Sequence, residues 1–262
     1  MTPRSSSGSP PRDAALAGTA GGAPFAPVAV VPSRPLALAY RALTAGVGLW
    51  GIILVAGLFT PAPTWGAFRF YTVLSNVLCV LWALTEAWVT WRDWRSHGAR
   101  GASSPSPRFS AAVMMAITVT MLIYLVVLLP SNFVQEGAYE AFTLTDTLVH
   151  VATPLLVILG WLLFTPKGHI RVFDPPLWAL IPGAYLLFGF VASAAGMTFA
   201  GKPVPYPFMN WHEIGVGGVV LWIAGLFVAL EAVAYLFYAV DRWLARASKL
   251  RDADPSRPGT AG

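Results

Sequence analysis

Charge is scarce in these 262 residues: 11% are Asp, Glu, Lys or Arg, against about a quarter in an average soluble domain, while 56% are hydrophobic. So little charge does not clothe a soluble surface, so lipid is the solvent for most of the chain. A soluble enzyme and a secreted disulfide scaffold are both excluded. Cysteine is nearly absent; the one thiol, Cys79, lies in an apolar run, so it forms no intrachain disulfide and says nothing of redox compartment. Also missing is the alternation of apolar and polar residues over roughly ten-residue segments that marks a membrane β-barrel. There is no GxSxG, no HExxH, no CxxC and no phosphate-binding glycine loop, so neither a cofactor nor a metal is expected. Axial haem ligation by two histidines is disfavoured, because His212 lies too near the membrane surface.

What is present is six apolar runs, each close to the roughly 20 residues that a helix needs to cross hydrocarbon. They extend approximately from Leu36 to Phe59, Phe68 to Trp91, Phe109 to Leu129, Thr143 to Phe164, Pro176 to Met197 and His212 to Trp243. Pro, Gly and Asn mark the connections, and tryptophans cluster near the run ends, as interfacial aromatic belts do. The fold class expected is all-α, a polytopic membrane bundle of six transmembrane helices. Its domain spans residues 34–246, between tails at 1–33 and 247–262 whose composition predicts disorder.

Orientation follows from Lys and Arg. Of the 17, all but Arg69 and Lys202 fall in the N-terminal segment, the second and fourth connections and the C-terminal tail. Both termini are therefore expected in the cytoplasm, with the protein in the cell membrane. The formal charge of +5 is accounted for by topology and anionic head groups, so membrane lipids are the expected partners and nucleic acid is not. The preference for Arg over Lys and the frequent Ala suggest a GC-rich bacterial genome. Nothing in the sequence fixes an oligomeric state.

Ionisable groups inside a spanning helix cost several kcal/mol, so they mark a site or an interhelical contact. The second run carries Arg69, Thr72, Ser75 and Asn76 in its first two turns, with Arg69, Thr72 and Asn76 within about 60° on a helical projection. The fourth carries Asp146, His150 and Thr153 on one face. The sixth starts with His212 and Glu213 and carries Glu231 deeper, on the face of Glu213; Glu86 lies deep in the second. Three helices thus place polar groups within roughly the outer 12 Å of the membrane.

Each of these residues also has a structural reading. Thr72 either bonds back to its own i−4 carbonyl or acts as a nucleophile. His150 is either a helix-packing hydrogen bond or a base whose tautomer Asp146 fixes. His212 and Glu213 read as capping and interfacial residues. Arg69 either anchors the helix to head groups or binds a carboxylate. Glu86 and Glu231 are packing partners or a proton route, and YPFMN at 206–210 reads as a rigid loop.

Four segments, FRFYTVLSN at 68–76, LVHVATPLLVILGWLLFTPKG at 148–168, PLWALIPGAYLLFGFVASAAG at 176–196 and YPFMN at 206–210, resemble the bacterial six-helix relatives of the androgen-induced membrane-protein family in order and helix placement. The resemblance covers roughly residues 36–243. It implies an intramembrane hydrolase of fatty acid esters with a threonine nucleophile on Thr72 and a histidine on His150. The steps from His150 to Pro154 and from Thr72 to Asn76 look like the bacterial branch. The expected chemistry is acyl transfer to water from a lipid-like ester, with Asp146 orienting His150. Asn76, Ser75 or Arg69 would stabilise the oxyanion or hold a substrate carboxylate, with His212 and Glu213 on the substrate side. Two other classes compete: a carrier or channel for protons or a small solute along Arg69, Asp146, His150, Glu213, Glu86 and Glu231, and a structural membrane protein.

Overall fold

The computed structural model describes residues 29–130 and 142–252. Most of both predicted tails lies outside these residues. The described residues form helices and no strand, with six helices long and apolar enough to cross a membrane. We number them α1 (Arg34–Val55), α2 (Tyr71–His97), α3 (Pro107–Leu128), α4 (Leu144–Phe164), α5 (Asp174–Ala194) and α6 (Trp211–Ser248, whose helix continues to Asp252). Each coincides with one apolar run. Residues at the N-terminal edge already meet the bundle: Val31 N–H donates to the Leu163 carbonyl at 2.9 Å.

The central helix is α3, whose Ala111, Val113, Met114, Ala116 and Ile117 are buried. Small residues set the approach of α1 to its neighbours, as they do between helices in lipid. A Cβ at Gly48 would lie 2.9 Å from Val80 of α2, and one at Gly51 would lie 2.9 Å from Val149 of α4. By contrast α5 meets α6 chiefly through its first turn, Asp174–Trp178, and at Phe190 against Trp211, and between these the two helices flank a cleft.

Two helices widen to π turns, Ile123–Leu128 in α3 and Leu148–Ala152 in α4. The second has a cause in the sequence. In an α-helix the Pro154 nitrogen would face the His150 carbonyl, but it carries no hydrogen and its ring clashes there. The chain widens, and Thr153 N–H donates to the Leu148 carbonyl instead. The Val149 carbonyl then faces the proline nitrogen and has no backbone donor. Asn76 Nδ2 of α2 supplies one at 3.0 Å.

At the opposite end of the bundle, buried charges are paired. Arg41 of α1, only 4% exposed, meets Glu86 of α2 at 3.3 Å and also donates to the Thr90 hydroxyl and the Ser103 carbonyl. Glu86 accepts in turn from Ser110 at 2.6 Å and Ser104 at 3.2 Å. Arg108 chelates Asp174. Lys167 lies 3.6 Å above the Trp161 ring and donates to the Trp161 carbonyl, and Asp241 accepts from the amides of Gly168 and Ile170. Burial pushes the Lys167 ammonium down to about 7, against the pull of Asp241 and Glu86.

Candidate active site

Helix α2 begins later than its apolar run does. Residues Trp65–Arg69 form a 3₁₀ turn, Phe70 is extended, and Tyr71 is the first helical residue. Thr72 therefore stands in the first turn, where its i−4 residue, Phe68, belongs to the preceding 3₁₀ turn beyond the extended Phe70, and the back-bonded reading has no partner carbonyl in register. Its hydroxyl meets His150 Nε2 at 3.3 Å across the α2–α4 contact. The imidazole lies flat on the Tyr124 ring, with centroids 4.1 Å apart and planes 11° off parallel. Both rings come from π turns, a backbone form often found at functional sites.

Asp146 Oδ1 lies 3.6 Å from His150 Nδ1 one turn away. That is an ion-pair separation, longer than a hydrogen bond. It favours the tautomer with hydrogen on Nδ1, which leaves Nε2 as the acceptor toward Thr72. The Asp146 amide is capped by the Thr143 hydroxyl.

The remaining expected residues divide. Ser75 bonds the Thr72 carbonyl at 3.0 Å and the Thr120 hydroxyl at 2.7 Å, so it ties α2 to α3. Asn76 spends both amide hydrogens on the Thr72 and Val149 carbonyls, so it braces the histidine segment and has no hydrogen left for an oxyanion. Arg69 lies outside the helix and off the Thr72 face; it reaches the Thr198 carbonyl at 3.1 Å. Glu213 lines the polar cavity beside Thr72, while His212 is exposed and packs against Trp211. Glu213 and Glu231 do not share a helical phase, because Gly215 between them has φ 68 and ψ 165, a left-handed conformation that glycine tolerates.

A residue that sequence reasoning passed over is Tyr206, in the YPFMN loop. Its phenol is buried against the Thr72 hydroxyl and the first amides of α2, those of Tyr71 and Thr72. Burial raises its pKa above the ordinary value, while those groups act in the opposite direction. The signal available was a tyrosine in a proline-rich loop leading straight into a spanning helix.

Two cavities meet at Thr72 and Tyr206. One, of about 620 Å³, is lined by His150, Lys202, Asn210 and Glu213 as well as loop residues. The other, of about 400 Å³, runs between α3, α5 and α6 and is almost wholly apolar. Both fall within the range of small-molecule sites.

Fold and spans define a multi-pass membrane protein. No protein-family model, curated protein or solved structure matches this chain. Among the described residues no cluster of His, Cys, Asp and Glu is arranged to hold a metal ion.

Proposed function

We propose that this protein is an intramembrane lipid ester hydrolase in which Thr72 is the nucleophile and His150 the general base. One observation carries the reading: a threonine hydroxyl and an imidazole nitrogen 3.3 Å apart, where an almost wholly apolar cavity meets one that also bears polar side chains. The resemblance to the bacterial relatives of the androgen-induced family, which assigns the same two residues, supports it.

In this mechanism the acyl chain of the ester lies in the apolar cavity and its alcohol part in the polar one. His150 Nε2 takes the Thr72 proton as Oγ1 attacks the ester carbonyl. The amides of Val73 and Leu74 donate to the Phe70 carbonyl, so those of Tyr71 and Thr72, with the Tyr206 phenol, are the donors for the oxyanion, strengthened by the low dielectric. The tetrahedral intermediate collapses and the alcohol leaves with the proton from His150. Water, deprotonated by the same imidazole, then hydrolyses the threonyl ester and releases the carboxylic acid.

A polar path for a carrier would need Glu86, whose carboxylate is engaged by Arg41, Ser104 and Ser110. The test is hydrolysis of a long-chain p-nitrophenyl ester by purified protein in detergent. Thr72→Ala and His150→Ala are each expected to reduce the rate to background; a rate near that of the parent in either variant overturns the reading.

A further inference from the structure

The apolar cavity ends on a charge-bearing side chain that the hydrolase mechanism does not use. Its α3 wall runs from Leu128, which also lines the other cavity beside Thr72, to Met115, about 20 Å along the helix at 1.5 Å per residue. At the far end Pro175, Pro176 and Trp178 of α5 face Leu230 and Glu231 of α6. One turn beyond Glu231, Tyr235 bonds the Val172 carbonyl in the connection that precedes α5, which places Glu231 at the opposite end of the cavity from Thr72. Glu231 is half-buried, and its Oε2 is enclosed and has no hydrogen-bond partner among the described residues.

A carboxyl oxygen left without a partner in an apolar site is destabilising, so its retention calls for a ligand that supplies a donor. The other deep carboxylates, Glu86, Asp174 and Asp241, are all partnered by the protein. The surrounding wall of proline, leucine and tryptophan argues against a cationic donor, because an ammonium loses far more hydration than a hydroxyl on entering such a site.

We propose that Glu231 is a recognition group for a hydroxyl at or near the far end of the lipid chain in this cavity, so that the ligand class is a terminally hydroxylated acyl chain. The orientation, with the ester at Thr72, rests on the hydrolase reading; the hydroxyl contact does not. The pairing explains why a single carboxyl group stands in a largely apolar chain-binding wall. It also makes the cavity a measure of length, since only a chain that spans from Thr72 to Glu231 satisfies both ends.

The test uses the full-length Thr72→Ala protein in detergent, where no turnover intervenes. Methyl dodecanoate and methyl omega-hydroxydodecanoate compete for binding with a tritiated copy of the latter. The hydroxylated ester is expected to bind about tenfold more tightly, the scale of one hydrogen bond to an otherwise orphaned buried group. Adding Glu231→Leu should abolish the preference while leaving affinity for the plain ester at least as high. Glu231→Gln, which keeps an acceptor and tests for misfolding, should retain part of it. Equal binding of the two esters, or a preference that survives in Glu231→Leu, overturns the proposal. Hydrolysis without such a preference leaves the hydrolase reading standing alone, and the preference without hydrolysis leaves the chain-binding site standing alone.

Discussion

Asn76 of α2 donates to the Val149 carbonyl of α4 at 3.0 Å, one residue before His150, at the carbonyl that Pro154 leaves without a backbone donor. The asparagine and the proline together hold the π turn that turns the imidazole toward Thr72. The same amide bonds the Thr72 carbonyl at 2.7 Å, so one side chain fixes both members of the pair.

Asn76→Leu should therefore act on both stability and chemistry. It orphans the buried Val149 carbonyl, at a cost of about 1–3 kcal/mol, while the Thr72 carbonyl keeps its bond from Ser75. Thermal unfolding in detergent reads the loss, and esterase assays should show a lower kcat, because the 3.3 Å contact is no longer held. A destabilised variant of unchanged kcat would separate the brace from the site.

Tyr206→Phe removes only a hydroxyl. If that hydroxyl meets the oxyanion, kcat falls by about 10²-fold with KM little changed, since the contact strengthens only in the transition state. The melting temperature should move little, because the ring keeps its stacking on Phe208.

Arg41 and Glu86 form a buried pair remote from Thr72. Arg41→Met or Glu86→Leu alone strands a charge and should cost about 3–5 kcal/mol, whereas the double variant should regain most of it. Ester hydrolysis by the double variant should match the parent, as expected if this pair serves the fold and not a proton path.

Lys167 sets a pH dependence. The unfolded chain keeps this ammonium protonated up to its ordinary 10.5, while burial in the folded state brings the value down to about 7. Between these limits the unfolded state binds more protons, so stability rises with pH, by up to about 1.4 kcal/mol per unit, and levels off above. Unfolding followed across that window in detergent should show the slope, and Lys167→Met should flatten it.

The spans were legible because hydropathy is a local property: all six runs became helices, within four residues of their expected ends except that α2 continues past Trp91 to His97 and α6 past Trp243 to Asp252. The convergence of Thr72, Asp146 and His150 was legible because helical rise converts sequence position into depth. What escaped depends on contacts between distant segments. Arg41 counted as one more basic residue at a run end, yet it is buried against Glu86 of the next helix. Arg69 was placed on the Thr72 face by extending the helix two residues too far; apolar composition does not reveal that Phe70 is extended. The π turn had its cause in plain view at Pro154, but its effect appears only when the Val149 carbonyl is followed to Asn76.

The central claim is that Thr72 is a nucleophile activated by His150. The most direct measurement is labelling of the purified protein with a lipophilic fluorophosphonate, followed by peptide mass spectrometry. The expected result is one adduct on Thr72, blocked by excess long-chain ester and absent from His150→Gln. Ester hydrolysis by a protein that carries no adduct on Thr72, or undiminished hydrolysis in Thr72→Val, would contradict it.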